Sequence, residues 1–257
     1  MNENSNPFQA PVSRVADPFP EGGDFVPEGL RLEAREGMNW LSQGWDLFRQ
    51  APGMWILITL VFVVIFLILG SIPLLGIVLN LVIPVFTGGF MLGCKALEEG
   101  EELRFGHLFA GFSNQAGSLI MIGLIYLIGL VAVALVVMVI AGAIGFGSGV
   151  LLGKTSMTAG LLPLVVGLLV AVLVLPLAMA VWYAPALVLF HRQGPFDALK
   201  SSFSACLKNF MPFLVYGLAF LVLAVLATLP VGLGWFILIP VTQASIYASY
   251  KSLFTRS

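Results

Sequence analysis

The residues able to do chemistry are few and far apart. His107 and His191 have no second histidine, cysteine or carboxylate at metal-ligand spacing. Asp197 lies six residues beyond His191 across Gly194-Pro195, which is no acid–base motif. Cys94 and Cys206 have no activating neighbour in sequence and read as packing residues, not nucleophiles. Two cysteines are also too few for a disulfide framework. Ser201, Ser202 and Ser204 lack the G-x-S-x-G elbow of a serine hydrolase. No P-loop or G-x-G-x-x-G opens a helix, and Gly145-Phe-Gly-Ser-Gly149 lacks the Lys-Ser/Thr ending of a phosphate loop. No catalytic residue, cofactor or metal site is therefore expected, and no enzymatic activity.

The elements around these residues explain why chemistry is so sparse. The chain is 59% hydrophobic and 10% charged, where a soluble domain carries roughly 25% charged residues. Such a chain cannot cover a water-facing surface, so lipid must be its solvent. The net charge of −1 provides no basic field for nucleic acid. The first 50 residues lack a basic stretch followed by an apolar core, so no cleavable signal peptide is expected. The first apolar run should serve as an uncleaved anchor.

Residues 1–29 are rich in Pro, Gly and acidic groups without hydrophobic periodicity, and read as a disordered cytoplasmic tail. Residues 30–257 read as a single transmembrane domain. In its first segment Leu30, Ala34, Met38, Leu41, Trp45 and Phe48 recur every three or four positions, which predicts an amphipathic helix over 30–51 lying in the interface. A soluble partner-binding helix is the other reading. Spans are expected at Trp55–Ser71, Leu75–Leu97, Gly117–Ile144, Phe213–Thr228 and Gly234–Leu253. Thr158–Phe190 is too long for one straight span, and Pro176 or Pro185 should bend or end it. Gly145–Met157, with Lys154, reads as a loop. Two more interfacial amphipathic helices are expected, one through Phe105, Leu108, Phe109 and Phe112 and one through Phe196, Leu199, Phe203, Leu207 and Phe210.

The fold class is thus all-α: a polytopic membrane protein of about six transmembrane helices, arranged as three hairpins each preceded by an interfacial amphipathic helix. The three units cover about 30–97, 103–190 and 195–254. The first and last match best, because Pro52, Pro73, Pro84 and Lys95 parallel Pro212, Pro230, Pro240 and Lys251. Each copy begins on the same side, so the repeats are parallel. Chance likeness between proline-containing hairpins is the alternative.

Six spans place Arg14, Arg31, Arg35, Arg49, Lys95, Arg104, Arg192, Lys200, Lys208, Lys251 and Arg256 on one side, with only Lys154 opposite. Cytoplasmic loops carry this excess, so both termini are expected in the cytoplasm. No charge falls at mid-membrane, the usual mark of an ion pathway. Asn80 is the candidate intramembrane polar contact, pairing with a neighbouring carbonyl or touching a substrate. Arg49, Arg104, Lys200, Lys208 and Trp45 are the candidate contacts for lipid head groups or a partner at the cytoplasmic leaflet. Expected partners are membrane lipids, anionic ones included, and a protein at the cytoplasmic face. The glycines at 89 and 93, and at 145, 149 and 153, have the small-xxx-small spacing of close helix packing, within the chain or in a homo-oligomer.

Two stretches carry a resemblance. Trp182-Tyr-Ala-Pro-Ala-Leu-Val-Leu-Phe190, then Gly194-Pro-Phe-Asp-Ala-Leu-Lys-Ser-Ser-Phe203 and Lys208-Asn-Phe210, resemble a segment of a loose group of bacterial multi-span proteins. That group includes the membrane domain attached to some glycerophosphodiester phosphodiesterases. Asn6-Pro-Phe-Gln-Ala-Pro11 is similar to the start of many bacterial inner-membrane proteins, and the layout resembles an uncharacterised proteobacterial family of them. The resemblance implies an inner-membrane location and carries over no catalytic residue, since the phosphodiesterase chemistry belongs to a separate soluble domain. Two functions are expected to compete. One is an envelope scaffold or regulator acting through its cytoplasmic face. The other is a transporter or lipid-handling protein with a cavity between repeats lined by Asn80, Thr59 or Gln243.

Overall fold

The computed structural model describes residues 24–152 and 158–256, the side chains of Leu74 and residues 144–162 excepted. The helices begin where proline permits and polar turns demand. Glu36–Gln50 (α1) is followed by Pro52–Gly70 (α2) and Pro73–Glu98 (α3). Pro52 and Pro73 sit at first helical positions, where a missing N–H costs nothing. A 3-10 turn, Phe105–Phe109, and a single turn, Ala110–Ser113 (α4), lead into Ala116–Leu152 (α5). Thr158–Trp182 (α6) and Ala184–His191 (α7) follow, then Pro195–Lys208 (α8), Phe210–Thr228 (α9) and Trp235–Phe254 (α10). Five helical segments are long and apolar enough to cross a membrane: Pro52–Gly70, Leu75–Glu98, Ala116–Ala143, Pro163–His191 and Phe210–Thr228. The chain is an all-α polytopic membrane protein.

Several expectations are corrected. Gly145 to Leu152 is not a loop but the last two turns of α5; its apolar residues outweigh three glycines, each costing about 1 kcal/mol in a helix. Lys154 lies outside the described residues, as does the tail through residue 23, with Asn6, Pro11 and Arg14. The tail reading fails at its end: Asp24–Phe25 (β1) pairs antiparallel with Thr255–Arg256 (β2). The first amphipathic helix begins at Glu36, and its buried stripe is Gly37, Trp40, Leu41, Gly44 and Phe48. Met38 and Trp45 are 52% and 44% exposed. The stripe is rotated from the expected one because Gly37 and Gly44, with no side chain, allow the closest approach of α9 and α10. The long segment after 158 is broken at Tyr183, one residue before the Ala184-Pro185 start of α7.

The packing has a cyclic order. The amphipathic segment opening each unit lies against the returning helix of the unit before it. The 3-10 turn and α4 pack on α3, α8 packs on α6, and α1 closes the circle on α10. The first spans follow the same rule at two junctions, α5 on α3 and α2 on α10, whereas the backbones of α9 and α6 stand further apart and meet through the Trp182–Phe213 ring contact at 6.0 Å.

Helix α10 is the polar spine. Its Ser245, Ser249 and Ser252 accept or share hydrogen bonds with Tyr216 (3.0 Å), Tyr183 (2.9 Å) and Trp40 (2.8 Å). Tyr250 meets His191 Nε2 at 2.6 Å, and Tyr247 donates to Glu98 at 2.7 Å beside the Lys251–Glu98 ion pair. Inward-facing hydroxyls explain why α10, at 20 residues, falls short of the hydropathy of the other five. Residues 24–32 then strap its end: Val26 N–H donates to Phe254 O (2.9 Å), Leu30 N–H to Leu253 O (2.7 Å), and Phe25 stacks on His191 at 3.6 Å.

Candidate functional site

Residues of α3, α5, α6, α7 and α10 line a partly open cavity of about 360 Å³. Its polar lining is Asn80, Thr87, Tyr126, Trp182 and Gln243. Thr87 and Gln243 each stand three residues after the proline inside their helix, Pro84 and Pro240. Both line the same cavity, one from α3 and one from α10. Asn80 Nδ2 donates to Gly76 O at 3.2 Å, one turn back in its own helix, which leaves its carbonyl oxygen to the cavity wall. Gln243 Oε1 is buried and has no hydrogen-bond partner among the described residues. A buried orphan acceptor costs about 1–3 kcal/mol, so this atom calls for a donor. Among the described residues, no charged side chain lines the cavity.

Beside it lies a second hollow of about 390 Å³, between α6, α8 and α9. It is the seam left by the loose α6–α9 junction. Leu175, Met179, Phe213 and Leu218 make it apolar, and it shares Ala178 and Trp182 with the first cavity.

The residues singled out from sequence do not meet in one place. Asn80 and Gln243 do share the cavity, but Thr59 is fully buried in α2 and takes no part in its lining. Arg49 pairs with Asp46 at 2.8 Å on the same helix. Lys208 Nζ lies 3.0 Å from Glu28 O and 3.3 Å from its carboxylate. Arg104 stands exposed before the 3-10 turn, where its N–H donates to His107 Nδ1 at 3.0 Å. Burial, with the Arg104 charge beside it, holds His107 below its ordinary pKa, and the neutral ring is the form that accepts this bond. Lys200 is exposed on α8. Trp45 stacks on Phe48 with centroids 5.4 Å apart. Most such exposed pairs contribute about 0–1 kcal/mol. Tyr126, Trp182 and Thr87 were missed; Tyr126, as the one tyrosine of its long apolar run, was the available signal.

Both cysteines are buried. Burial pushes the Cys206 thiol up to about 12, and the Ser202 hydroxyl beside it offsets this only in part. The thiolate is the reactive form, so Cys206 in folded protein is expected to resist maleimide at pH 8 and to react fully once denatured. Rapid labelling of the native form, read by mass spectrometry, would show the α6–α8 contact to be open.

An all-α bundle with a neutral polar cavity inside its membrane-spanning part defines the class: a polytopic membrane protein with its distinctive groups in the interior. Over 229 aligned residues the chain is 30% identical to a probable inner membrane protein of Burkholderia thailandensis, covering 85% of this chain and 83% of that one. The chain belongs to that family of inner-membrane proteins. No family model matches the sequence, and no solved structure matches it.

Proposed function

We propose that this protein works without catalysis, by holding a membrane amphiphile in the cavity between α3, α5, α6, α7 and α10. The observation that carries the reading is the meeting of Asn80 and Gln243, from the first and third units, in one uncharged cavity of about 360 Å³. That volume falls in the range of small-molecule sites. Buried polar groups in lipid are costly unless partnered, and a ligand donor would partner the Asn80 carbonyl oxygen, whose amide nitrogen is already bonded to Gly76 O.

The membrane arrangement is part of the proposal. The pairing of β1 with β2 puts both described ends of the chain together, which asks for an even number of crossings. Helix α10 then serves as the sixth span, and the units form three hairpins. On a six-span reading of the sequence, eleven of twelve basic residues fall on the side of both termini, which favours a cytoplasmic location for that side. The likeness of the 182–210 stretch to membrane domains attached to glycerophosphodiester phosphodiesterases supports work close to lipid and assigns no chemistry.

A second reading, the envelope scaffold or regulator, is favoured by exposed aromatics on the same end, Trp45 at 44%, Phe105 at 41% and Phe196 at 71%. Anchoring in the interface accounts for them equally well. The cavity reading is the stronger, because Arg49 and Lys208 spend their charge on Asp46 and Glu28.

Native mass spectrometry after gentle solubilisation tests it. Wild-type protein is expected to carry an adduct of lipid mass. Asn80→Leu with Gln243→Leu should lower its occupancy about tenfold or more, from two hydrogen bonds of about 1 kcal/mol each. A wild-type protein free of any adduct would sink the proposal.

A further inference from the structure

The cyclic packing order has one exception, and the exception lies beside the cavity. At two junctions the first span of a unit rests on the returning helix of its neighbour, but α9 stands off α6. The hollow between them runs from Cys206 and Phe210, at the α8–α9 turn, along α9 to Phe220. Ten residues of helix make this about 15 Å. Its outer flanks, Leu175 on α6 and Leu218 on α9, are 56% and 58% exposed, and both belong to membrane-crossing segments. Hydrocarbon is the only medium available at that depth. On α6, positions 175, 178, 179 and 182 face this groove while 178, 181 and 182 face the polar cavity. The two hollows therefore share one edge, the line from Ala178 to Trp182, and Ala178 is the smallest residue on it.

We infer that groove and cavity form one bipartite site for an uncharged amphiphile: the hydrocarbon chain lies along the α6–α9 groove, and a hydroxyl or amide head reaches past Ala178 to Asn80 and Gln243. The inference rests on the cavity reading above and goes beyond it by naming the ligand class. The head is neutral because no cation among the described residues lines the cavity, and a buried phosphate without one would carry a prohibitive desolvation cost. It carries a donor because Asn80, its Nδ2 bonded to Gly76 O, presents a carbonyl oxygen to the cavity. Long-chain alcohols, acylglycerols and fatty amides have this chemistry; anionic phospholipids do not.

The test uses the full chain in nanodiscs with two photoactivatable probes of identical diazirine-bearing chain, a diacylglycerol and a phosphatidylglycerol, at equal mole fraction. Label is read by peptide mass spectrometry. The diacylglycerol is expected to label the 163–191 and 210–228 peptides, at least fivefold above the phosphatidylglycerol. Ala178→Trp, which fills the shared edge, should reduce that label about tenfold, and Gln243→Leu by a similar factor, the worth of one buried hydrogen bond. Leu168→Trp, on the exposed face of α6 away from both hollows, should leave it unchanged. Gln243→Leu keeps the test decisive if Ala178→Trp fails to fold. Equal labelling of the same peptides by phosphatidylglycerol, lost in the variants, overturns the neutral-head inference while the cavity reading stands. Labelling that neither variant reduces overturns both.

Discussion

Replacing Trp40 with alanine is expected to destabilise the protein by about 3–5 kcal/mol, the range for truncating a buried tryptophan. Its side chain is 1% exposed. The indole N–H donates to Ser252 Oγ at 2.8 Å, and the ring meets Phe213 edge-on at 5.4 Å and Tyr216 at 6.1 Å. Truncation therefore opens a cavity at the α1–α10 junction and removes the indole bond to Ser252 Oγ, which keeps its own bond to Ser249 O at 3.0 Å. Glycines bring the helices close enough for these contacts. A Cβ at Gly37 would stand 2.3 Å from Pro212 O, and one at Gly44 would stand 2.7 Å from Ser245 N. For a chain of this size the loss corresponds to roughly 10 °C of melting temperature, readable by thermal unfolding in detergent. Trp45→Ala, on the exposed side of the same helix, should shift it by no more than about 2 °C. A larger effect at Trp45 than at Trp40 would mean that α1 lies in the lipid interface on the face that its spacing first suggested, not against α9 and α10.

Asn209→Leu should release the strap at residues 24–32. Asn209 is 1% exposed and holds two chain segments at once. Its Oδ1 accepts from Leu32 N–H at 2.8 Å, and its Nδ2 donates to Leu30 O at 2.8 Å and Ala205 O at 2.9 Å. Leucine has nearly the same shape but no donor or acceptor, so Leu32 N–H and Leu30 O lose their partners. Two such groups cost about 2–4 kcal/mol. The strap holds little buried apolar surface beyond Phe25, so the loss should appear as local opening. Amide exchange at Val26, Leu30 and Leu32 is expected to quicken about a hundredfold, with the melting temperature of the bundle nearly unchanged. Unaltered protection of those amides would show that β1–β2 pairing and the Phe25–His191 stack suffice.

Asn209 is also a measure of what could be read in advance. In sequence it is one asparagine within the Lys208-Asn-Phe210 stretch, with no sign of a structural role. Its partners lie 177 and 179 residues away, and no local pattern reports such a contact. The turns at Pro52 and Pro73 were legible because proline acts on its own backbone. The break near Pro185 was legible as a length problem, though its place at Tyr183 was not. The apparent loop at Gly145–Leu152 misled because glycine frequency is read as chain reversal, whereas in a long apolar segment the surrounding helix overrides it.

Composition alone determined the solvent: a chain 59% hydrophobic and 10% charged must fold in lipid as helices, since each backbone group there needs an internal partner. Hydrophobic run length and proline position determined most helix limits, because both are local. The repeat of Pro84 and Pro240 marked equivalent helices but not their meeting. Only the tertiary structure decided that Thr87 and Gln243 line one cavity, that α1 closes on α10, and that the α6–α9 seam stays open beside that cavity. Those outcomes depend on which helix faces can approach, which is a property of side-chain volume summed over the whole bundle and not of any one segment.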